Sequence, residues 1–378
     1  MSNVYKYSPL DRVIWDTPSL EAIQNEIKRL NVKKIFIVSS STLSKKTNEI
    51  DKIINTLGKK FVGLFDNCIA HSPIENVIEC AKEVQKNSPD IIITIGGGTP
   101  IDTVKVVQLC YSLGINSVDE LKKISNQHQR IKSKIRQIAI PTTLSGGEYS
   151  IIGGAMDTKI QLKEKYTGDD ICPQVVILDP EITVHTPDWL WLSTAIRSVD
   201  HAIEGLCSGS TNPLIPPMAL NSLQLFANSL RKTHKNKDDI ISRSMSQKAV
   251  WMIAKNLGNT PMGASHGIGY LLGSIGSVPH GYTSCVMLPA VLKWNESFNK
   301  EKQRWIANAL GRPNLSASEA VGELISDLNL PRTLRDVGIR EDQWEKIADH
   351  GLKHPTVLSN PKPIEKKDDI LKILELAS

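Results

Sequence analysis

Three histidines in the second half of the chain carry its clearest chemical potential: His201 in Asp200-His201-Ala202-Ile203-Glu204, His266 in Ser265-His266-Gly267 and His280 in Pro279-His280-Gly281. Imidazole is the commonest nitrogen ligand for divalent ions and the commonest general acid or base. Three that converge make either a metal site or a proton-handling pocket. Residues 197–204 read as helix, with Arg197, His201 and Glu204 on or near one face at three-to-four spacing. A guanidinium neither deprotonates nor coordinates. Facing a dication across about 5 Å, it costs several kcal/mol even at an effective dielectric of about 20. A pocket without metal is therefore expected, with Arg197 steadying an oxyanion or gripping a substrate carboxylate. His280 or His201 would then deliver the proton. Tyr270, one turn after His266, would serve as a second donor or shape the pocket. Asp200 lies about 100° round the helix from His201, so pairing with a neighbouring arginine or lysine is expected of it.

The elements that must position these groups fall into two halves. Short apolar runs at 12–15, 34–39, 61–65, 90–95, 136–140 and 173–177 alternate with helix-like segments such as 74–85. That pattern predicts an α/β domain with a mostly parallel sheet covered on both faces, and ligands at the carboxyl ends of its strands. The fourth run enters Gly96-Gly97-Gly98-Thr99-Pro100-Ile101-Asp102. Gly97 and Gly98 let the backbone approach a diphosphate, Thr99 is placed to cap a helix, Pro100 suits its first position, and Asp102 that of a capping-box acid. The fifth run enters residues 141–148, where Thr142, Thr143 and Ser145 offer hydroxyl donors. Beyond residue 180 only helical patterns follow, at 192–207, 216–229, 240–257, 316–328, 342–351 and 368–377. Two domains are expected, 1–180 and an all-helical 181–378.

A length of 378 residues suffices for two cores. The net charge of +5, from 45 basic and 40 acidic residues, is spread without a basic run, which argues against a nucleic-acid partner. Six dispersed cysteines fit reduced thiols. Residues 1–6 lack an export signal, and no apolar run approaches about 18 residues, so a cytoplasmic chain without a membrane partner is expected.

The order of these motifs, continued by Met287-Leu288-Pro289, Asn295 and Asn360-Pro361-Lys362-Pro363, resembles the iron-containing alcohol dehydrogenase superfamily over nearly the whole chain. The glycine loop resembles its GGGS-x-x-D element, and the shortened 141–148 run resembles the maleylacetate reductase branch. The resemblance implies a Rossmann-like domain with a helical partner, the architecture of dehydroquinate synthase. It also implies NADH or NADPH as cofactor, lying between the domains, and a homodimer. Metal-using members carry an aspartate where this chain has Arg197 and a further histidine where it has Tyr270; maleylacetate reductases carry an asparagine at the first position. Any metal here would be iron or zinc on His201, His266 and His280. Lys165 falls near the family's cofactor lysine. Ser40 stands where NAD-preferring members have an aspartate, so a 2′-phosphate is tolerated, with Lys45 or Lys46 as its partners. Reduction of a carbonyl, or of a conjugated double bond, on a small oxo-acid or aldehyde is implied. A three-histidine metal-dependent alcohol dehydrogenase, a dehydroquinate synthase-type lyase and a non-catalytic nucleotide-binding homologue are the alternatives.

Overall fold

Isoleucine- and valine-rich strands alternating with amphipathic helices build the first half of the chain. The computed structural model describes residues 4–160 and 162–378; Met1, Ser2 and Asn3, part of the stretch read for an export signal, lie outside the described residues. β1 (Arg12–Trp15), β2 (Ile35–Ser39), β3 (Phe61–Phe65), β4 (Ile91–Gly96), β6 (Arg136–Pro141) and β9 (Val175–Leu178) form a parallel sheet in the order β1-β9-β6-β4-β2-β3. Helices α1 (Ser19–Arg29), α2 (Ser41–Lys46), α3 (Glu49–Leu57), α4 (Ile74–Asn87), α5 (Gly98–Leu113) and α6 (Val118–Lys123) connect them. Both faces of the sheet are covered. Ile35 and Ile37 enter one core with Ile91 and Ile93, whereas Phe36 and Val38 enter the other with Ile92. From β2 the chain runs outward to β3 and then returns to β4 on the other side of β2. The strand order thus reverses between β2 and β4, the crevice where such sheets bind dinucleotides.

A second, three-stranded sheet was not expected from the sequence. β5 (His128–Gln129), β7 (Ile152–Asp157) and β8 (Leu162–Gly168) lie in the order β5-β8-β7, with β7 and β8 antiparallel. Gly153 and Gly154 hide β7, because glycine is a poor strand former. β8 carries a period-two signature, with Lys163 and Lys165 exposed and Glu164 and Tyr166 buried.

The second half is helical: α7 (Asp188–Cys207), α8 (Ile215–Lys235), α9 (Ile240–Ala254), α10 (Ala264–Gly276), α11 (His280–Asn295), α12 (Lys300–Ala309), α13 (Ala317–Asp327), α14 (Trp344–Gly351), α15 (Pro355–Leu358) and α16 (Lys367–Leu376). The two compact units meet in sequence at Thr186 and Pro187, a few residues past the expected boundary at 180. The intervening 3-10 turn Ile182–His185 stays with the sheet, where the Thr186 hydroxyl donates to the Thr142 carbonyl at 2.7 Å. Among the described residues no helix is long and apolar enough to cross a membrane.

Candidate active site

In the sheet unit, Ser40, the glycine loop and the 142–145 hydroxyls follow the carboxyl ends of β2, β4 and β6. The Ser40 amide donates to the Ile95 carbonyl at 3.2 Å, and the Thr142 amide to the Gly96 carbonyl at 3.0 Å. The Thr143 and Ser145 hydroxyls lie 3.3 Å apart. A Cβ on Gly97 would stand 2.8 Å from the Thr143 methyl, so this loop closes only around glycine. On Gly98 a Cβ would meet Ser145 Oγ alone, at 3.4 Å. Backbone amides at the start of α5, open glycine surface and neighbouring hydroxyls are the materials of a diphosphate cradle.

Two details differ from expectation. α5 begins at Gly98, with Gly97 rather than Thr99 as N-cap, because the glycines let the chain turn into helix directly from β4. Asp102 therefore makes no capping box. Its carboxylate accepts from the Gly154 amide at 3.4 Å and from Lys105 Nζ at 3.5 Å. Lys105 is fully buried and also donates to the carbonyls of Gly147 and Ile152 and to Ser150 Oγ, tying α5 to the 147–152 segment. Lys165 is exposed on β8, and Lys163 on the same strand extends to 3.9 Å from Asp102. Beneath the loop, burial, opposed by a backbone hydrogen bond and Lys105, raises the Glu148 carboxyl to about 7.

In the helical unit, α7, α10 and α11 bring Arg197, His201, His266, Tyr270 and His280 together. The rings of His201 and His266 stack, with centroids 4.7 Å apart. Tyr270 stands among the rest: its ring centroid is 5.3 Å from the Arg197 guanidinium, 6.1 Å from the His280 ring and 6.5 Å from that of His266. Two carboxylates organise the pocket: Glu204, which helical spacing puts on the face of Arg197 and His201, and Asp200, which it turns away. Glu204 accepts from the amides of Gly263 and Ser265, each at 2.7 Å, capping the start of α10, and from His266 Nδ1 at 2.8 Å. Asp200 does not simply pair with an arginine. Its Oδ2 accepts from Ser265 Oγ at 2.8 Å and Ser284 Oγ at 2.6 Å, lies 3.3 Å from His266 Nδ1, and has Arg197 Nη1 only at 4.0 Å. Arg197 Nη1 donates instead to Ser284 Oγ at 3.0 Å. The spacing of Asp200 from His201 pointed away from the pocket, yet α10 wraps onto that face of α7. A fourth histidine, His354, was missed altogether; its ring lies 5.8 Å from that of Tyr270.

Electrostatics divide the stacked pair. Burial and Arg197 oppose charge on His266, but Asp200 and Glu204 outweigh them and raise its pKa to about 9. Burial would raise the Asp200 carboxyl; the His266 charge and hydrogen bond, then Arg197 and Ser284, hold it below its ordinary range. His201 is pushed well below its ordinary value by burial and then by the charges of His266 and Arg197. The two rings are thus driven in opposite directions, His266 toward the protonated form and His201 toward the neutral one. Among the described residues, neither His266 Nε2 nor His201 Nδ1 has a hydrogen-bond partner.

With this geometry, comparison with known proteins is decisive. The family model for iron-containing alcohol dehydrogenase matches residues 11–180, and the model for the C-terminal domain of the same family matches 192–378. The chain belongs to the iron-containing alcohol dehydrogenase family. It is 33% identical to the dehydrogenase ALT3 of Alternaria alternata, over 91% of this chain and 98% of that protein. It is 28% identical to a maleylacetate reductase of Burkholderia cepacia, over 97% and 96%. In fold it is similar to a sulfoacetaldehyde reductase of Bifidobacterium kashiwanohense solved in complex with NAD+, with TM-score 0.88, 19% identity and coverage of 99% and 98%. It is an oxidoreductase of this family.

The family name implies iron, and the residues present fit it poorly. The carboxylate-and-histidine arrangement around His266 would suit a metal ligand, since such partners fix a ring's orientation. Asp200, Glu204 and His266 also place ligand atoms within 4.8 Å of one another. Those carboxylates, however, are already engaged by serine hydroxyls, backbone amides and His266. Arg197 brings a fixed positive charge to the same pocket, where it opposes charge on both His201 and His266.

Proposed function

We propose that this enzyme reduces the carbonyl of a small oxo-acid, or a double bond conjugated with it, using NADH or NADPH and no metal ion. The observation that carries the reading is Arg197, whose buried guanidinium stands in the histidine pocket 5.3 Å from the Tyr270 ring and 4.0 Å from Asp200 Oδ2. When bound, a reduced nicotinamide supplies the hydride. The diphosphate would rest against Gly97, Gly98 and Thr99, with Thr142, Thr143 and Ser145 donating hydroxyl hydrogen bonds.

Within the pocket, Arg197 stabilises negative charge developing on the carbonyl oxygen, assisted by its hydrogen bond to Ser284, which fixes the guanidinium. His266 carries the proton that this oxygen needs. Its Nδ1 is held by Glu204, leaving the unpartnered Nε2–H to donate. His201, which with His280 is a candidate acid from the sequence, is driven toward its neutral form first by burial and then by the charges of His266 and Arg197, which favours His266 as the donor. It stacks on His266 and fixes its plane. Tyr270 and the half-buried His280 form the wall that solvent reaches.

Elemental analysis of protein purified without chelators, with NADH and NADPH oxidation followed on maleylacetate and a panel of small aldehydes before and after EDTA, tests this. Reduction of the oxo-acid by protein without stoichiometric metal, undiminished by chelation, is expected. One tightly bound iron or zinc per chain, with activity lost on its removal, overturns the reading.

A further inference from the structure

The residue that the reaction outlined above does not use is His354, and its surroundings are more specific than a surface histidine requires. It precedes the short α15, which docks on α10 where Gly267 lacks a side chain; a Cβ there would lie 2.6 Å from Val357 Cγ2 and 2.7 Å from its amide nitrogen. Ser359 Oγ donates to the Met262 carbonyl at 2.6 Å, and Asn360 Oδ1 accepts from the Ala264 amide at 3.3 Å. Asn360 and Asn295 exchange side-chain amide hydrogen bonds at 2.8 and 3.2 Å. The segment is therefore fastened to the very turn that carries His266. His354 emerges from it with its ring 5.8 Å from Tyr270 and the two planes inclined by 34°.

Its tautomer follows from one contact. His354 Nδ1 accepts from the Thr356 amide at 3.3 Å, capping α15, and a ring nitrogen that accepts carries no proton. The neutral ring holds its proton on Nε2. Burial lowers the pKa of His354, so the neutral form persists at neutral pH. Capping alone does not explain a histidine here, because asparagine, aspartate or serine caps better. Exposure supplies the remaining clue. Arg197 and His266 are 8% and 1% exposed, whereas Tyr270 is 40% exposed and His354 half-buried. Tyr270 and His354 thus form the part of the cluster that an entering molecule meets.

We propose that His354 is a substrate-binding residue, donating Nε2–H to a carboxylate of the oxo-acid while Arg197 and His266 serve the reacting carbonyl. This rests on the oxo-acid reading given above. A carboxylate accepts only, and this pocket presents a guanidinium and the imidazole rings of His266 and His354 around one tyrosine ring.

His354→Asn separates the two roles of this ring, because asparagine keeps an acceptor near the position of Nδ1 and removes the Nε2 donor. Expected are an unchanged or higher melting temperature and a KM for maleylacetate raised roughly three- to tenfold, the loss falling on KM rather than kcat. The dissociation constant of maleate, an unreactive dicarboxylate titrated by calorimetry, should rise by a similar factor. His354→Gln, which returns an amide donor near the Nε2 position, should restore part of both. Asparagine and parent proteins with equal KM and equal maleate affinity overturn the proposal, as does a parent that binds no maleate. A parent that binds maleate but reduces no oxo-acid defeats the functional reading alone, and the maleate titration of the variant still decides the role of His354.

Discussion

Replacing Arg197 with glutamine removes the charge on which the metal-free reading depends while keeping an amide donor near Ser284. In the parent, Arg197 Nη1 lies 4.0 Å from Asp200 Oδ2 with both side chains buried. At an effective dielectric of about 20, that separation corresponds to about 4 kcal/mol of attraction. A developing oxyanion at comparable range would lose a stabilisation of the same order. Removal of a single oxyanion donor typically costs about 2.7–4 kcal/mol, so kcat/KM for the oxo-acid should fall by roughly 100- to 1,000-fold. A second consequence needs no turnover. Arg197 opposes the charge on both His201 and His266, so Arg197→Gln should move the pKa of His266 further above about 9 and bring that of His201 back toward its ordinary value. Steady-state kinetics and NMR titration of the imidazole signals check the two effects. A kcat/KM within threefold of the parent, with both imidazole titrations unmoved, would refute the reasoning.

Arg197→Asp should turn the pocket toward metal binding. Its melting temperature is expected to rise with added zinc by an amount equivalent to about 2.7 kcal/mol at a hundredfold excess over Kd, while the parent shows no such rise; equal responses would count against it. Ser40→Asp should raise KM for NADPH at least about tenfold relative to NADH without loss of stability, since Ser40 caps α2 through the Leu43 amide and aspartate caps as well. An unchanged cofactor ratio would remove Ser40 from the ribose site. Glu148, raised to about 7 by burial, contributes stability that is complete below about 4.5 and lost as the pH rises through 7. Glu148→Gln should therefore melt higher than the parent at pH 8, by up to about 3 kcal/mol less what the Lys105 charge returns, and this advantage should vanish near pH 4; thermal melts across that range decide it.

Short apolar runs, the glycine motif after the fourth of them and helical patterning determined the parallel sheet, the loop after β4 and the helical second half from the sequence alone. These are local signals: each strand or loop is written in adjacent residues, as in the isoleucine run of β4 or the hydroxyls at 142–145, although the cap of α5 is not. The three histidines and Arg197 were legible for the same reason, since each sits in a short motif. Only the tertiary structure decided their protonation and their company. The raised pKa of His266 depends on Glu204 and Asp200, more than sixty residues earlier, and on the wrapping of α10 over α7. His354 joins the cluster because a glycine on α10 admits α15, a fit between distant segments that periodicity does not record. Asp200 shows the limit most plainly. Its helical angle turned it away from His201, but burial and hydrogen bonding depend on which neighbour packs against that face. Lys163 and Lys165 differ in the same way, because strand pairing across β7 decides which lysine extends toward Asp102.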